Sequence, residues 1–250
     1  MNRWSLIALD MDGTLLNKQG AISEENRLAV KHAMEVGIEV TIATGRHIKN
    51  ILPFAEELGL KAPLVTTNGS EVWTIQGELL ERHILSSPDV HFLHDLALRY
   101  EIEYWAYSVE QRFQSDSFPE SIASYDWLKF GFQSDRPEQI NRIWNELSKR
   151  GDWELTNSDP LNIEVNPKGI TKSFGLQKVC DYLEIPSDQV VAIGDSLNDI
   201  AMIEWAGFGV AMGNAQQAVK NIADHVTASH VDHGVARCIE FLLQNMKIHK

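Results

Sequence analysis

The stretch Leu6-Ile7-Ala8-Leu9-Asp10-Met11-Asp12-Gly13-Thr14-Leu15 decides how the rest of the chain is read. Four apolar residues in a row predict a strand buried on both faces, as in a parallel sheet. Two carboxylates, two residues apart, then stand where the strand ends, and in open α/β sheets that edge is where ligands bind. Gly13 lets the backbone turn sharply after the pair. Neighbouring carboxylates repel, so holding both ionised asks for a cation, and a divalent one suits oxygen ligands. The same Asp-X-Asp-Gly run also reads as a turn held by Asx hydrogen bonds. What decides between the two is whether other segments bring partners to the same edge.

The segments that follow have the periodicity of a parallel α/β unit. Ser23 is a good N-cap, Glu24 and Glu25 favour the first turn of a helix, and Gly37 ends it. Ile38 to Ala43 is a second strand, stopping at Thr44-Gly45-Arg46, and a helix is expected from His47 to Leu58. Pro63 to Thr67 is a third short strand, ending at Asn68-Gly69, with a hairpin over Val72–Ile75 and Glu78–Glu81. Residues 84–166 change character. Helices are expected over Val90–Tyr100 and Pro137–Lys149, with strands at Glu103–Tyr107, Arg112–Ser115, Trp127–Phe132, Trp153–Leu155 and Asn162–Val165. That order suits an antiparallel sheet with helices on one face. Of the chain's 21 aromatic residues, 13 fall there, enough to build a separate core, so 84–166 is expected as an inserted domain between core segments 1–83 and 167–250. The α/β pattern resumes with a helix over Ile170–Leu183 and an apolar strand, Val190–Ile193, that runs into Gly194-Asp195-Ser196-Leu197-Asn198-Asp199. A strand ending at Met212-Gly213-Asn214 and a last helix from Val235 close the pattern.

Composition narrows the partners. A net charge of −13 over 250 residues argues against non-specific binding to nucleic acid or to an anionic membrane. An anionic ligand must therefore be captured by a local positive site. Cys180 and Cys238 sit in amphipathic helical patterns and read as reduced core residues, as in the cytoplasm. No apolar run approaches the roughly 18 residues of a membrane helix, and no secretory leader pattern precedes the first strand.

Several strand ends now carry small sets of polar groups: Asp10 and Asp12, Thr44 and Gly45, Asp195 with Asn198 and Asp199, and more loosely Asn68-Gly69. In a parallel sheet these ends share one edge. Lys172, at the start of a helix re-entering the core, supplies the positive group that an anion needs, and the helix N-terminus adds to it.

In these motifs the chain resembles the haloacid dehalogenase superfamily, and more narrowly its Cof-type branch (subfamily IIB). Asp10-Met11-Asp12-Gly13-Thr14, Thr44, Lys172 and Gly194-Asp195-Ser196-Leu197-Asn198-Asp199 match the four motifs in order. Ala43-Thr44-Gly45-Arg46, Asn68-Gly69 and Met212-Gly213-Asn214-Ala215 also fit that branch. The resemblance implies a Rossmann-like three-layer α/β/α core with an inserted α+β cap of the C2B type. It implies a Mg²⁺-dependent phosphatase acting on small phosphorylated metabolites such as sugar phosphates, with Asp10 as nucleophile and Asp12 as general acid–base. Mg²⁺ would be held by Asp10, the Asp12 carbonyl and Asp195. Thr44, the Met11 and Gly45 amides, Lys172 and Asn198 would hold phosphoryl oxygens, and Asp199, Arg46 and Asn68 would support them. A phosphomannomutase-like phosphomutase and a non-catalytic sugar-phosphate-binding regulator are the alternative readings. A monomer or weak homodimer is expected.

Other residues have plainer readings. Arg46, opening a helix, also reads as a core-edge ion pair, and Asn68 and Asn214 as loop caps. His225, His230, Asp232 and His233 follow no regular zinc-ligand spacing. Tyr104, Trp105, Arg112 and Trp127 could each face a substrate or fill the cap core.

Overall fold

A computed structural model of the chain describes residues 3–247. The opening apolar run is β1 (Leu6–Leu9), buried at every position. It pairs in parallel with β2 (Glu39–Ile42) on one side and β11 (Val190–Gly194) on the other, so that Leu6 stands opposite both Glu39 and Val190. Beyond β11 lie β12 (Phe208–Ala211) and β13 (His225–Val226), giving the order β13-β12-β11-β1-β2.

Helix placement follows from strand order. α1 (Glu24–Glu35) joins β1 to β2, whereas α6 (Ile200–Trp205) joins β11 to β12 in the opposite direction along the sheet. Parallel crossovers are right-handed, so the two helices lie on opposite faces. α8 (Gly234–Lys247) packs on α1, and α5 (Lys172–Leu183) and α7 (Gln217–Ile222) pack on α6, so both faces are covered. That cover is why β1 and β11 are apolar throughout instead of alternating. Because the chain leaves β1 in one direction and β11 in the other, the sheet has its switch point between them. A crevice forms beyond their C-terminal ends. Asp10 follows β1 and Asp195 follows β11, so the topology itself brings these two carboxylates together.

Two segments differ from expectation. The helix foreseen over His47–Leu58 is a short turn, Ile48–Asn50, followed by α2 (Leu52–Leu58). Pro53 lacks an N–H and tolerates only the first turn of a helix, so the α-helix starts around it. The third strand, β3 (Leu64–Thr66), touches the parallel sheet through one bridge between Ala43 and Val65. Its main pairing is antiparallel, to β4 (Glu71–Trp73) and through it to β5 (Leu79–Arg82).

The cap is an antiparallel sheet, ordered β7-β6-β8-β10-β9, with α3 (Ser87–Tyr100) and α4 (Pro137–Arg150) packed on it. Its strands are β6 (Glu103–Ser108), β7 (Arg112–Gln114), β8 (Trp127–Gln133), β9 (Trp153–Thr156) and β10 (Asn162–Pro167). Alternation sorts most of its side chains, and an irregular register opposite Tyr107 and Ser108 puts Trp127 in the cap core and Leu128 on the other face. Tyr104 and Ala106, Phe130 and Phe132, Ile163 and Val165 join Leu93 and Ile143 of the helices in an apolar cluster separate from that of the core. The intervening residues Trp105, Tyr107, Lys129, Gln133, Asn162 and Glu164 face a cavity between cap and core.

Candidate active site

After β1 the backbone makes one wide turn, in which the N–H groups of Leu15 and Leu16 donate to the carbonyls of Asp10 and Met11 at 3.3 and 2.9 Å. Such five-residue closures concentrate at functional sites. Gly13, at φ 83°, makes the turn possible, and a Cβ there would lie 2.5 Å from an oxygen of Asp195. Glycine is thus required twice, for the left-handed backbone and for the close approach of the second carboxylate. The turn separates the fates of the two aspartates. The Asp10 side chain is 7% exposed and that of Asp12 is 55% exposed.

Lys172 is the first residue of α5, whose N-cap Thr171 accepts from the Phe174 N–H. Its Nζ is completely buried and donates to Asp10 at 2.6 Å and to Asp199 at 2.7 Å. The other oxygen of Asp199 accepts from the backbone N–H groups of Asp195 and Ser196 at 2.8 and 3.0 Å, which fixes the loop after β11. Asp195 accepts from the hydroxyls of Thr14 and Ser196 at 3.0 and 3.1 Å. Carboxylate oxygens of Asp10, Asp195 and Asp199 lie within 4.8 Å of one another. Burial pushes the Asp10 carboxyl well above the ordinary carboxylate range; Lys172 pulls it back, and the charges of Asp199 and Asp195 push it up further. Burial and Asp199 likewise raise Asp195 to about 7. Burial alone would lower Lys172, but Asp10 and Asp199 more than offset this and hold it above the usual lysine range. One lysine against three carboxylates leaves surplus negative charge where water is scarce, and a divalent cation would neutralise it.

Thr44 closes the same edge. Its N–H is held by the Val65 carbonyl at 3.0 Å, its carbonyl accepts from Asn68 N–H at 3.0 Å, and its hydroxyl accepts from Arg46 N–H at 3.2 Å. The hydroxyl proton is thereby left to donate outward. Among the described residues, the Gly45 N–H makes no hydrogen bond. Arg46 is not at a remote edge: its guanidinium grips Asp12 in a two-point pair, Nε to Oδ2 at 2.8 Å and Nη2 to Oδ1 at 2.5 Å. Asn214 donates to the Gly13 carbonyl at 2.8 Å and so ties the loop after β12 to the turn after β1. Asn68, in the left-handed region at φ 59°, donates to the cap residue Glu164 at 2.7 Å. Both amide hydrogens of Asn198 point the same way, to Asn68 Oδ1 at 3.3 Å and to Glu164 at 3.4 Å.

The cavity over these residues has a volume of about 320 Å³, with Asp10, Asp12, Thr44 and Ser196 on its core side. Of the four cap residues left open by the sequence, Trp105 and Arg112 line the cavity, whereas Tyr104 and Trp127 belong to the cap core; Tyr107, Lys129, Gln133, Asn162 and Glu164, which also line it, were not singled out. The histidine-rich C-terminal stretch forms no metal-binding group among the described residues. His225 stacks on Phe241 at 4.8 Å, and His233 bonds Ser23. Cys180 and Cys238 are free and buried. No helix among the described residues is long and apolar enough to cross a membrane.

A capped parallel sheet with two aspartates, a threonine, a lysine and an acidic loop on one edge defines a haloacid dehalogenase-like hydrolase, and the chain belongs to that family, whose model matches residues 7–126 and 114–239. Within it the chain is a phosphatase of the Cof-type branch. It is 45% identical, over 94% of both chains, to the 5-amino-6-(5-phospho-D-ribitylamino)uracil phosphatase YcsE of Bacillus subtilis (strain 168). It is 31% identical to the phosphatase YwpJ of the same organism, over 95% of this chain and 99% of that one. A solved haloacid dehalogenase-like hydrolase from B. subtilis superposes with a TM-score of 0.86 at 27% identity, over 94% of this chain and 99% of that one.

Proposed function

We propose that the chain hydrolyses phosphate esters of small metabolites, sugar and polyol phosphates among them, through an aspartyl-phosphate on Asp10. The observation that carries this reading is the buried Lys172 bridging Asp10 and Asp199, beside the exposed Asp12. A carboxylate locked by a lysine is oriented for attack, and one in reach of water can carry protons. In the first half-reaction an Asp10 oxygen bonds to phosphorus, the ester P–O bond breaks, and Asp12 gives its proton to the leaving oxygen. In the second, Asp12 takes a proton from water as the water oxygen bonds to phosphorus. The acyl-phosphate bond then breaks, restoring Asp10 and releasing inorganic phosphate. Both Asp12 oxygens are paired with Arg46 here, so each proton transfer requires one of them to leave that pair. The Thr44 hydroxyl, the N–H groups of Gly45 and Met11, and the remaining Lys172 proton are the donors for the phosphoryl oxygens. Asn198 joins them only by giving up one of its two present bonds.

The acidic cluster fits Mg²⁺: the side chains of Asp10 and Asp195, with the Asp12 carbonyl, would hold it, and Asp199 would stay on Lys172. When bound, the ion would offset charge on the transferring phosphoryl group. Excess EDTA should stop phosphate release, and added Mg²⁺ should restore it. Release that persists in EDTA would remove the metal from the reaction. Product analysis with a hexose 1-phosphate separates the outcomes: free sugar with inorganic phosphate is expected, and an isomeric sugar phosphate would mean a mutase.

For the leaving group, the cap wall offers the exposed parts of Trp105 and Tyr107, whose rings Arg112 and Lys129 cover at 4.8–5.9 Å. A planar ring at the end of a phosphorylated polyol chain, as in the compound for which YcsE is named, matches that wall. Trp105→Ala should lower kcat/KM for that compound by about tenfold, in line with a lost aromatic contact, and leave acetyl phosphate turnover unchanged. Equal loss on both would place Trp105 outside substrate recognition.

A further inference from the structure

Not every cap residue that faces the core is free to meet a substrate. The two oxygens of Glu164 receive four donors. Oε1 accepts from Lys129 Nζ at 3.0 Å and Ser158 Oγ at 3.3 Å, and Oε2 from Asn68 at 2.7 Å and Asn198 at 3.4 Å. A carboxylate has about four acceptor sites, so none remains for a substrate hydroxyl. Lys129 is equally spent. Its Nζ donates to Glu164 and to the Gly45 carbonyl at 2.9 Å, and it lies 4.8 Å from the Trp105 ring centre and 5.6 Å from that of Tyr107. The side chains of Lys129 and Glu164 are 1% and 5% exposed.

We propose that Glu164 and Lys129 form a latch, holding the cap against the core through Gly45, Asn68 and Asn198 and positioning Gly45 and Thr44 for the phosphoryl group without contacting the leaving group. This rests on the phosphatase reading above. Both ends of the ion pair belong to the cap, so the pair survives opening. What opening loses is the set of bonds to Gly45, Asn68 and Asn198. The effect reaches the chemistry through one peptide plane. Lys129 fixes the carbonyl of the Gly45–Arg46 peptide, and the N–H of that same peptide donates to the Thr44 hydroxyl at 3.2 Å. Closing the latch therefore aims the Thr44 proton. Gly45 itself bears the mark of this approach: a Cβ there would stand 2.9 Å from Lys129 Nζ and 3.0 Å from Asn68 Oδ1. A side chain at position 45 would wedge the latch apart.

The test uses the double variant Glu164→Gln with Lys129→Met, because removing both charges leaves no unpaired ion in a buried place. Acetyl phosphate, which has almost no leaving group for the cap to hold, is compared with a larger polyol phosphate. kcat for both should fall by at least about tenfold, a loss typical of misplaced reacting groups, and the ratio between the substrates should stay within about twofold of the wild type. A loss confined to the larger substrate would make the pair a substrate contact, and unchanged kcat on both would also overturn the latch. Amide hydrogen exchange gives a readout independent of turnover. Asn198 N–H is held by the cap carbonyl of Asn157 at 3.1 Å, and Asn68 N–H by Thr44. Peptides covering 67–70 and 196–199 should exchange at least about tenfold faster in the double variant, and equal exchange would sink the proposal. A failure of the phosphatase reading shows differently, as absent phosphate release by the wild type alone.

Discussion

The Asp10→Asn protein should fold as well as the wild type and release phosphate from p-nitrophenyl phosphate at least about 10⁴-fold more slowly, the scale on which removing a nucleophile acts. The amide is nearly the shape of the carboxylate but cannot attack phosphorus. Stability should hold because Asp10 is a costly group where it stands. Burial and two neighbouring carboxylates push its carboxyl above the ordinary range, and an amide carries neither cost. Lys172 keeps Asp199 as its partner at 2.7 Å, so no buried cation is left alone. The measurement pairs turnover with a urea titration. Turnover within tenfold of the wild type would remove Asp10 as nucleophile. Lost activity together with a collapsed urea midpoint would show that the change had unfolded the site and not disarmed it.

The carboxylates and Thr44 are legible in the sequence for one reason: each lies within a few residues of the C-terminal end of an apolar run. Asp10 follows Leu6–Leu9 and Asp195 closely follows Val190–Ile193, so a local pattern plus the rule that parallel strand ends share an edge brings them together. Lys172 was legible because it opens a helix that must re-enter the core. Arg46 was less so. A charge at the start of an expected helix reads as a surface or core-edge pair, and only the wide turn after β1, which leaves Asp12 exposed, shows where the arginine goes. The break in the helix after Arg46 is signalled by Pro53, which a helix tolerates only in its first turn. Lys129 and Glu164 were hidden for a different reason. They sit among aromatic and branched residues in strands, and a charge there looks like the solvated face of a cap. Alternation separates the two faces of each strand, yet nothing in one strand says that its polar face meets a second domain. That information lies in the packing of cap on core, which no short stretch encodes.

Lys172→Met is the second change with a large expected effect, and it acts on stability as well as chemistry. In the wild type one buried ammonium satisfies Asp10 and Asp199 together, with Asp195 close by. Methionine fills similar volume and packs in the same apolar surroundings but donates nothing. Removing one partner of a buried pair leaves uncompensated charge, and the loss should be about 3–5 kcal/mol in a urea titration. Asp199 offers a way to divide structure from chemistry. In the double variant Lys172→Met with Asp199→Asn, the amide oxygen can still accept from the N–H groups of Asp195 and Ser196, and its NH₂ can turn to Asp10 in place of the lysine. At least about half of the lost stability should return, because one buried charge is gone and the other regains a donor. Turnover should not return: the ammonium that would face the phosphoryl oxygens is gone, and kcat should stay about 10²-fold or more below the wild type. A single variant as stable as the wild type would mean that Lys172 does not hold the carboxylates. A double variant that recovers turnover would reduce the lysine to a structural part and move phosphate recognition onto Thr44 and the backbone amides.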